Sequence, residues 1–312
     1  MNTRPTWTNS FSLIIGTLRL ARFIPNKYIY AIRTFADHEI PAWLPIILPR
    51  SIKNKKIDLD YFSLEWIYRD DINYLHSSTN KYILYIHGGA FCFGSTGTYR
   101  GLLYTIAKNT GCVVLSVNYR KAPEHPYPNA LTDCFIAYMY LLGIVRDSSK
   151  IYICGDSAGG NLSIYLMAEI IKCNLEKPAG IILLSPWVDL TDSGVSPSWK
   201  SNSNYDIVNQ RFTNLFASEY IKNTEFSLQD VSPINIDGRI FQHFPPILVE
   251  YGECEVLHDQ IKLFCKKLKR LNCQIKVKCR KDMTHVFPLF HFTGIAQSED
   301  FFHSLNKFIE RK

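Results

Sequence analysis

Gly155-Asp156-Ser157-Ala158-Gly159 sets a serine between two glycines, after the apolar run 151–154 and before a helical pattern over 161–172. A strand-to-helix turn this tight holds Ser157 on a strained backbone with its hydroxyl exposed, and side chains at the glycine positions would clash with the neighbouring strand and helix. A serine hydroxyl attacks a carbonyl only when a base takes its proton, so a histidine and an orienting carboxylate must lie elsewhere in the chain. Such groups gather beyond the carboxyl ends of the strands of an open α/β sheet. That rule selects His285, in the loop after the apolar run 274–279, as the base. It places the acid among Glu253, Glu255 and Asp259, after the run 246–251. His125 lies in a Pro-rich loop, His258 opens a helix, and His291 and His303 fall past the last strand.

An attacked carbonyl also needs fixed N–H donors for its developing oxyanion. His87-Gly88-Gly89-Ala90-Phe91 follows the run 81–86 directly, and adjacent glycines let backbone amides turn toward a ligand. With the N–H of Ala158, Gly88 and Gly89 would form a three-donor hole, each donor worth roughly 2.7–4 kcal/mol in the transition state.

The elements that must position these groups show in the hydrophobic rhythm. Runs at 62–68 and 81–87 read as strands, with Ser77-Ser78-Thr79-Asn80 as the turn between them. Further strand runs at 112–118, 151–155, 179–185, 246–251 and 274–279 alternate with helical patterns near 99–109, 129–146, 157–173, 258–271 and 298–311. Strands alternating with helices imply βαβ units and a mostly parallel sheet covered on both faces. In the 258–271 pattern Ile261, Phe264, Leu268 and Leu271 form one stripe, and the lysines off it read as a solvated face. Two amphipathic helices are expected before residue 50, one with Phe11, Ile14, Ile15 and Leu18, the other with Tyr28, Ile29, Ile32 and Phe35. The polar stretch 191–240, with a helix near 211–221, is too long for an ordinary connection and reads as an insertion over one end of the sheet.

Together these motifs resemble the hormone-sensitive-lipase-like branch of the α/β-hydrolases, which includes bacterial esterases and arylacetamide deacetylase. The resemblance rests on His87-Gly88-Gly89-Ala90-Phe91, on the run from Asn118-Tyr119-Arg120 to Pro128, and on Gly155-Asp156-Ser157-Ala158-Gly159-Gly160-Asn161-Leu162. Leu184-Ser185-Pro186-Trp187-Val188-Asp189-Leu190, Glu255-x-Leu257-x-Asp259 and His285-Val286-Phe287 complete it, in the family's order. It implies an α/β-hydrolase fold, with a mostly parallel central sheet, helices on both faces and a helical cap. The implied division is 1–50 as the N-terminal part of the cap, 51–190 as the first part of the core, 191–240 as the cap insertion and 241–312 as the second part of the core. It makes Ser157 the nucleophile, His285 the base and Gly88, Gly89 and Ala158 the oxyanion hole. The family's usual Asp is here Glu255, with Asp259 as the fallback acid. Phe91, Phe93 and Trp187 are implied as an apolar acyl pocket, and the Tyr119-Arg120 run as a structural loop.

The expected activity is serine-dependent hydrolysis of short- to medium-chain carboxylic esters. Deacetylation of arylamides or N-acyl compounds by the same triad is the enzymatic alternative, and a non-catalytic ligand-binding receptor on the same fold is disfavoured by the presence of His285. No cofactor and no metal are expected.

Length and composition agree. At 312 residues, with 46% hydrophobic and 20% charged residues, the chain can bury a large core and is neither disordered nor fibrous. A formal charge of +7 without a recognisable module argues against a nucleic-acid partner. A small-molecule ester is the expected partner, with a homodimer allowed. No run approaches the about 20 apolar residues that cross a bilayer, so no integral membrane segment is expected. Nine cysteines form no Cys-x-x-Cys pair and fit a reducing, cytoplasmic setting.

Overall fold

The structure, a computed structural model, describes residues 3–24, 51–75 and 79–311. Eight strands form one sheet: β1 (Ile52–Asp58), β2 (Ser63–Arg69), β3 (Tyr82–Ile86), β4 (Val113–Asn118), β5 (Ile151–Asp156), β6 (Gly180–Leu184), β7 (Ile247–Gly252) and β8 (Ile275–Arg280). They lie in the order β1-β2-β4-β3-β5-β6-β7-β8. β2 runs antiparallel to both β1 and β4, and every other pair is parallel. All seven expected strands are present, each within one residue of its expected ends. β3, β5, β6 and β7 are buried along their whole length, which is why they read as unbroken apolar runs.

β4 lies between β2 and β3, so these two strands are not neighbours in the sheet; Ser77 and Ser78 of the expected turn lie outside the described residues. Periodicity reports that a segment is extended, not which strand it pairs with. β1 went unseen because its Ile-Lys-Asn-Lys-Lys-Ile-Asp sequence has no apolar alternation. Only Ile52 is buried, as suits an edge strand protected by lysines.

Among the described residues the α-helices in chain order are α1 (Asn9–Leu18), α2 (Thr96–Thr110), α3 (Asn129–Val145), α4 (Ser157–Lys172), α5 (Pro197–Asn202), α6 (Gln210–Tyr220), α7 (Gly238–Phe241), α8 (His258–Arg270) and α9 (Ala296–Ile309). The pleat divides the core between the two faces of the sheet. Leu84, Leu115 and Ile153 meet α3, α4 and α8 through Tyr138, Leu166 and Phe264. Ile83, Val114 and Cys154 face the other way and meet α2 and α9 through Leu103, Ile106 and Phe301. The α8 stripe buries Ile261, Phe264 and Leu268 as expected, but Lys267 is not simply solvated: it donates to the carbonyls of Ile234 and Ile236, each at 2.7 Å.

α1 is capped by Thr8, whose side chain accepts from the Phe11 N–H and donates to the Thr293 carbonyl at 3.0 Å. Its Phe11 packs edge-on to Phe290, with ring centroids 5.7 Å apart. The expected second N-terminal helix, around Tyr28–Phe35, lies outside the described residues. Among the described residues no helix is long and apolar enough to cross a membrane.

The loop after β4 is anchored by an ion pair. Arg120 Nη2 lies 2.6 Å from Asp133 Oδ1, and the Arg120 N–H donates to Oδ2 at 2.8 Å. Asp133 is fully buried on α3, and the guanidinium keeps only a fifth of its side chain in solvent. Asp133→Ala strands that cation and an amide, so urea denaturation should show a loss of about 3 kcal/mol. A change within experimental error would show that the loop needs no such anchor.

Candidate active site

Ser157 sits where β5 ends and α4 begins, at φ 52°. A serine in the left-handed region is uncommon, and close packing on both sides holds it there. A Cβ on Gly155 would fall 2.3 Å from the Gly159 carbonyl oxygen, and one on Gly159 would fall 2.0 Å from the Ile86 carbonyl oxygen. The spacing of the glycines is therefore imposed by the approach of β3 and α4 to the turn.

His285 follows β8 and brings Nε2 to 2.8 Å from Ser157 Oγ, a hydrogen-bond distance. Glu255 follows β7. Its Oε2 accepts from the Ser185 hydroxyl at 2.6 Å and the Gly252 N–H at 3.2 Å, and lies 3.8 Å from His285 Nδ1. At 3.8 Å the Glu–His contact is an ion-pair contact rather than a formed hydrogen bond. Nδ1 of His285 and Oε1 of Glu255 each lack another hydrogen-bond partner, so a small side-chain rotation would satisfy both. Such contacts tighten as substrate binds. The other acid candidates lie elsewhere: Glu253 Oε2 accepts the Asp282 N–H at 3.1 Å, and Asp259 accepts the Ser198 N–H at 2.9 Å.

Three carboxylates surround the imidazole. Burial is the largest single influence on His285 and disfavours its charged form, but Glu255, Asp206 and Asp156 together hold its pKa above the ordinary 6.5. Asp206 is itself pushed up to about 6, chiefly by burial. Asp156 is also raised to about 6 by burial, against hydrogen bonds from Tyr99 (2.8 Å), Tyr85 (2.9 Å) and the Gly88 N–H (3.0 Å).

The loop after β3 departs from the expected oxyanion hole in one respect. Gly88 gives its N–H to Asp156 and does not line the cavity, whereas Gly89 and Ala90 do. Gly89 (φ 107°), Ala90 (φ 52°) and Phe91 (φ 63°) form a left-handed run closed by Cys92 and Phe93 N–H bonds to the Gly89 carbonyl. Successive amides in such a run form an anion-binding concavity. The Ala158 N–H belongs to the first turn of α4, where no intrahelical partner exists. His87 stacks on Tyr119 beneath this loop, and burial drives its pKa down to about 3. It is neutral, so the nitrogen 2.7 Å from the Gly88 carbonyl, Nδ1, must carry the proton.

A cavity of about 400 Å³ opens above Ser157 and His285, walled by Phe93, Trp187, Phe212, Phe216, Leu257 and Leu18. Of the three aromatics named for the acyl pocket, Phe93 and Trp187 line this cavity. Phe91 does not: it is fully buried and stacks on Tyr220 with ring centroids 3.7 Å apart, so it serves packing.

These features meet those of known proteins. The α/β-hydrolase fold family matches residues 83–289. The chain belongs to that family. It is 33% identical to an esterase of Acinetobacter venetianus over 69% of this chain and 70% of that one. It is 28% identical to an acetyl-hydrolase of Streptomyces hygroscopicus over 67% and 69% of the two chains. The crystal structure of an esterase from the bacterial hormone-sensitive lipase family, 28% identical, superposes with a TM-score of 0.84 over 99% of this chain and 98% of that one. This α/β-hydrolase therefore falls in the hormone-sensitive-lipase-like branch, as its motifs implied.

Sequence reasoning named no role for Ser185, Asp156 or Asp206. Ser185 (φ 43°) ends β6, binds Glu255 and accepts the Val286 N–H at 3.1 Å, joining the acid and histidine loops. Its place at a strand end was a usable signal. Asp206 lies in a polar stretch and offered none.

Glu253, Cys254 and Asp282 bring ligand-type atoms within 4.8 Å of one another among the described residues. Burial pushes the Cys254 thiol up to about 11, which leaves it protonated and a poor metal ligand.

An NMR titration of the imidazole should place His285 above the ordinary value, and Glu255→Gln should lower it by removing a charge that favours imidazolium. A wild-type value at or below 6.5 would mean that burial outweighs the carboxylates.

Proposed function

We propose that this carboxylic-ester hydrolase works through an acyl-enzyme formed on Ser157, with His285 as base and Glu255 as its orienting acid. The 2.8 Å contact between His285 Nε2 and Ser157 Oγ at the floor of an apolar cavity carries the reading. His285 takes the serine proton as Oγ attacks the ester carbonyl. The N–H groups of Gly89, Ala90 and Ala158 receive the oxyanion, each contributing roughly 2.7–4 kcal/mol. The imidazolium, steadied by Glu255, then protonates the departing alcohol. Water enters and repeats the steps to release the acid.

The cavity size suits a short to medium acyl chain, since pockets for small ligands span roughly 300–1,000 Å³. Leu18 of α1 and Phe212 and Phe216 of α6 line it, which supports a cap built from the N-terminal segment and the 191–240 insertion. Nine free thiols, six of them buried, support a reducing, cytoplasmic setting.

Purified protein should hydrolyse p-nitrophenyl esters of short acids and take a fluorophosphonate label at Ser157. Ser157→Ala should abolish labelling and lower kcat by about 10⁶-fold. Glu255→Gln should cost about 10⁴-fold, because the imidazole loses its orienting anion. Asp259→Asn should remain within about tenfold of the wild type. Equal losses from the last two variants would move the acid away from Glu255, and hydrolysis surviving Ser157→Ala would remove the serine mechanism.

A further inference from the structure

Three polar side chains of the 191–240 segment, Ser198, Asn202 and Asp206, stand four residues apart and are all buried. Each grips the loop that carries Glu255. Ser198 Oγ donates to the Val256 carbonyl at 2.7 Å. Asn202 Nδ2 donates to the carbonyls of Glu253 at 3.1 Å and Glu255 at 2.8 Å. Asp206 Oδ2 accepts the Val256 N–H at 2.7 Å. Of the three, Asp206 also reaches the second loop: its Oδ1 accepts the His285 N–H at 3.0 Å, together with the Ile207 N–H at 2.8 Å.

We infer that Asp206 is a positioning residue, a carboxylate of the insertion that bridges the backbone of the acid loop to that of the histidine loop and so fixes Glu255 against His285. The inference rests on the triad proposed above. Glu255 and His285 come from different strands, and their 3.8 Å separation is set by where the two loops sit. Ser185 ties the loops from the β6 side through the Glu255 carboxylate, whereas Asp206 ties them from the insertion side through main-chain amides.

Only a carboxylate fits this place. Both oxygens receive N–H groups, so an asparagine would turn its own NH₂ toward a donor whichever way its amide faced. Asp206 also shares with Glu255 and Asp156 the negative field on the imidazole. Removing its charge lowers the pKa at which His285 deprotonates. The base works when neutral, so activity is lost as pH falls through that pKa, and losing a carboxylate moves the acid limb of the rate profile to lower pH.

The test compares wild type with Asp206→Asn, Asp206→Glu and Ser198→Ala, using thermal melts, kcat and KM for a p-nitrophenyl ester across the neutral range, and NMR titration of His285. Asp206→Asn should melt cooperatively and keep KM within about threefold of wild type. Its kcat should fall about 10- to 100-fold, the effect of a small misplacement of reacting groups. Its acid limb and its imidazole titration should both move to lower pH. Asp206→Glu keeps the charge but alters the reach, so its kcat should fall while the limb stays. Ser198→Ala should lower the melting temperature and leave the limb in place. A folded Asp206→Asn protein with wild-type kcat and an unmoved limb overturns the inference, as does a Ser198→Ala variant that reproduces the whole Asp206→Asn pattern. If wild type neither hydrolyses esters nor takes a fluorophosphonate label, the triad reading fails instead. The NMR titration then still decides the bridge: an imidazole unmoved by Asp206→Asn sinks it, and a downward shift supports it.

Discussion

A serine hydroxyl can meet an imidazole here only because the chain turns at Ser157 through a left-handed backbone that most residues avoid. The turn is held from both sides, by β3 pressing on Gly159 and by α4 pressing on Gly155. The same cost recurs around it. Ala90 and Phe91 after β3, Ser185 after β6 and Val286 after β8 also carry positive φ, and each lies at the carboxyl edge of the sheet where the site assembles. Strain of this kind persists only where packing over-determines it. The fully buried strands β3, β5, β6 and β7 supply that packing.

Charge is the second organising feature. Asp156, Asp206 and Glu255 are buried carboxylates gathered about one histidine, and each is satisfied differently. Asp156 holds the loop after β3 through Gly88, with two tyrosine hydroxyls completing its shell. Glu255 is held by Ser185 and the Gly252 amide. Asp206 takes up main-chain amides. A buried carboxylate without such donors would be too costly to ionise. With them, the cluster favours an imidazolium, as the raised pKa of His285 reflects.

Much of this was legible beforehand. Long apolar runs at 151–155 and 179–185 can scarcely be anything but buried strands, and the α8 stripe shows its period in Ile261, Phe264 and Leu268. β1 was illegible because an exposed edge strand needs no apolar pattern, and the partner of β2 was illegible because strand order is not a local property. At the site, Ser157 and His285 could be picked out by motif and by position after a strand. Gly88 and Phe91 were placed by motif too, but their neighbours redirected them: Asp156 takes the Gly88 amide and Tyr220 takes the Phe91 ring.

The amino-acid order alone determined the alternation of strand and helix, the glycine-flanked serine between a strand and a helix, and the chain order Ser157, Glu255, His285, because these depend on local sterics and on hydrophobic period. Only the folded chain decided which of three acidic residues faces the imidazole, which residues of the glycine loop open onto the cavity, and that Asp206 of a polar stretch accepts N–H groups from the loops after β7 and β8. Those outcomes depend on hydrogen bonds between segments tens of residues apart, and a donor's partner is chosen by distance in space, which no local pattern records.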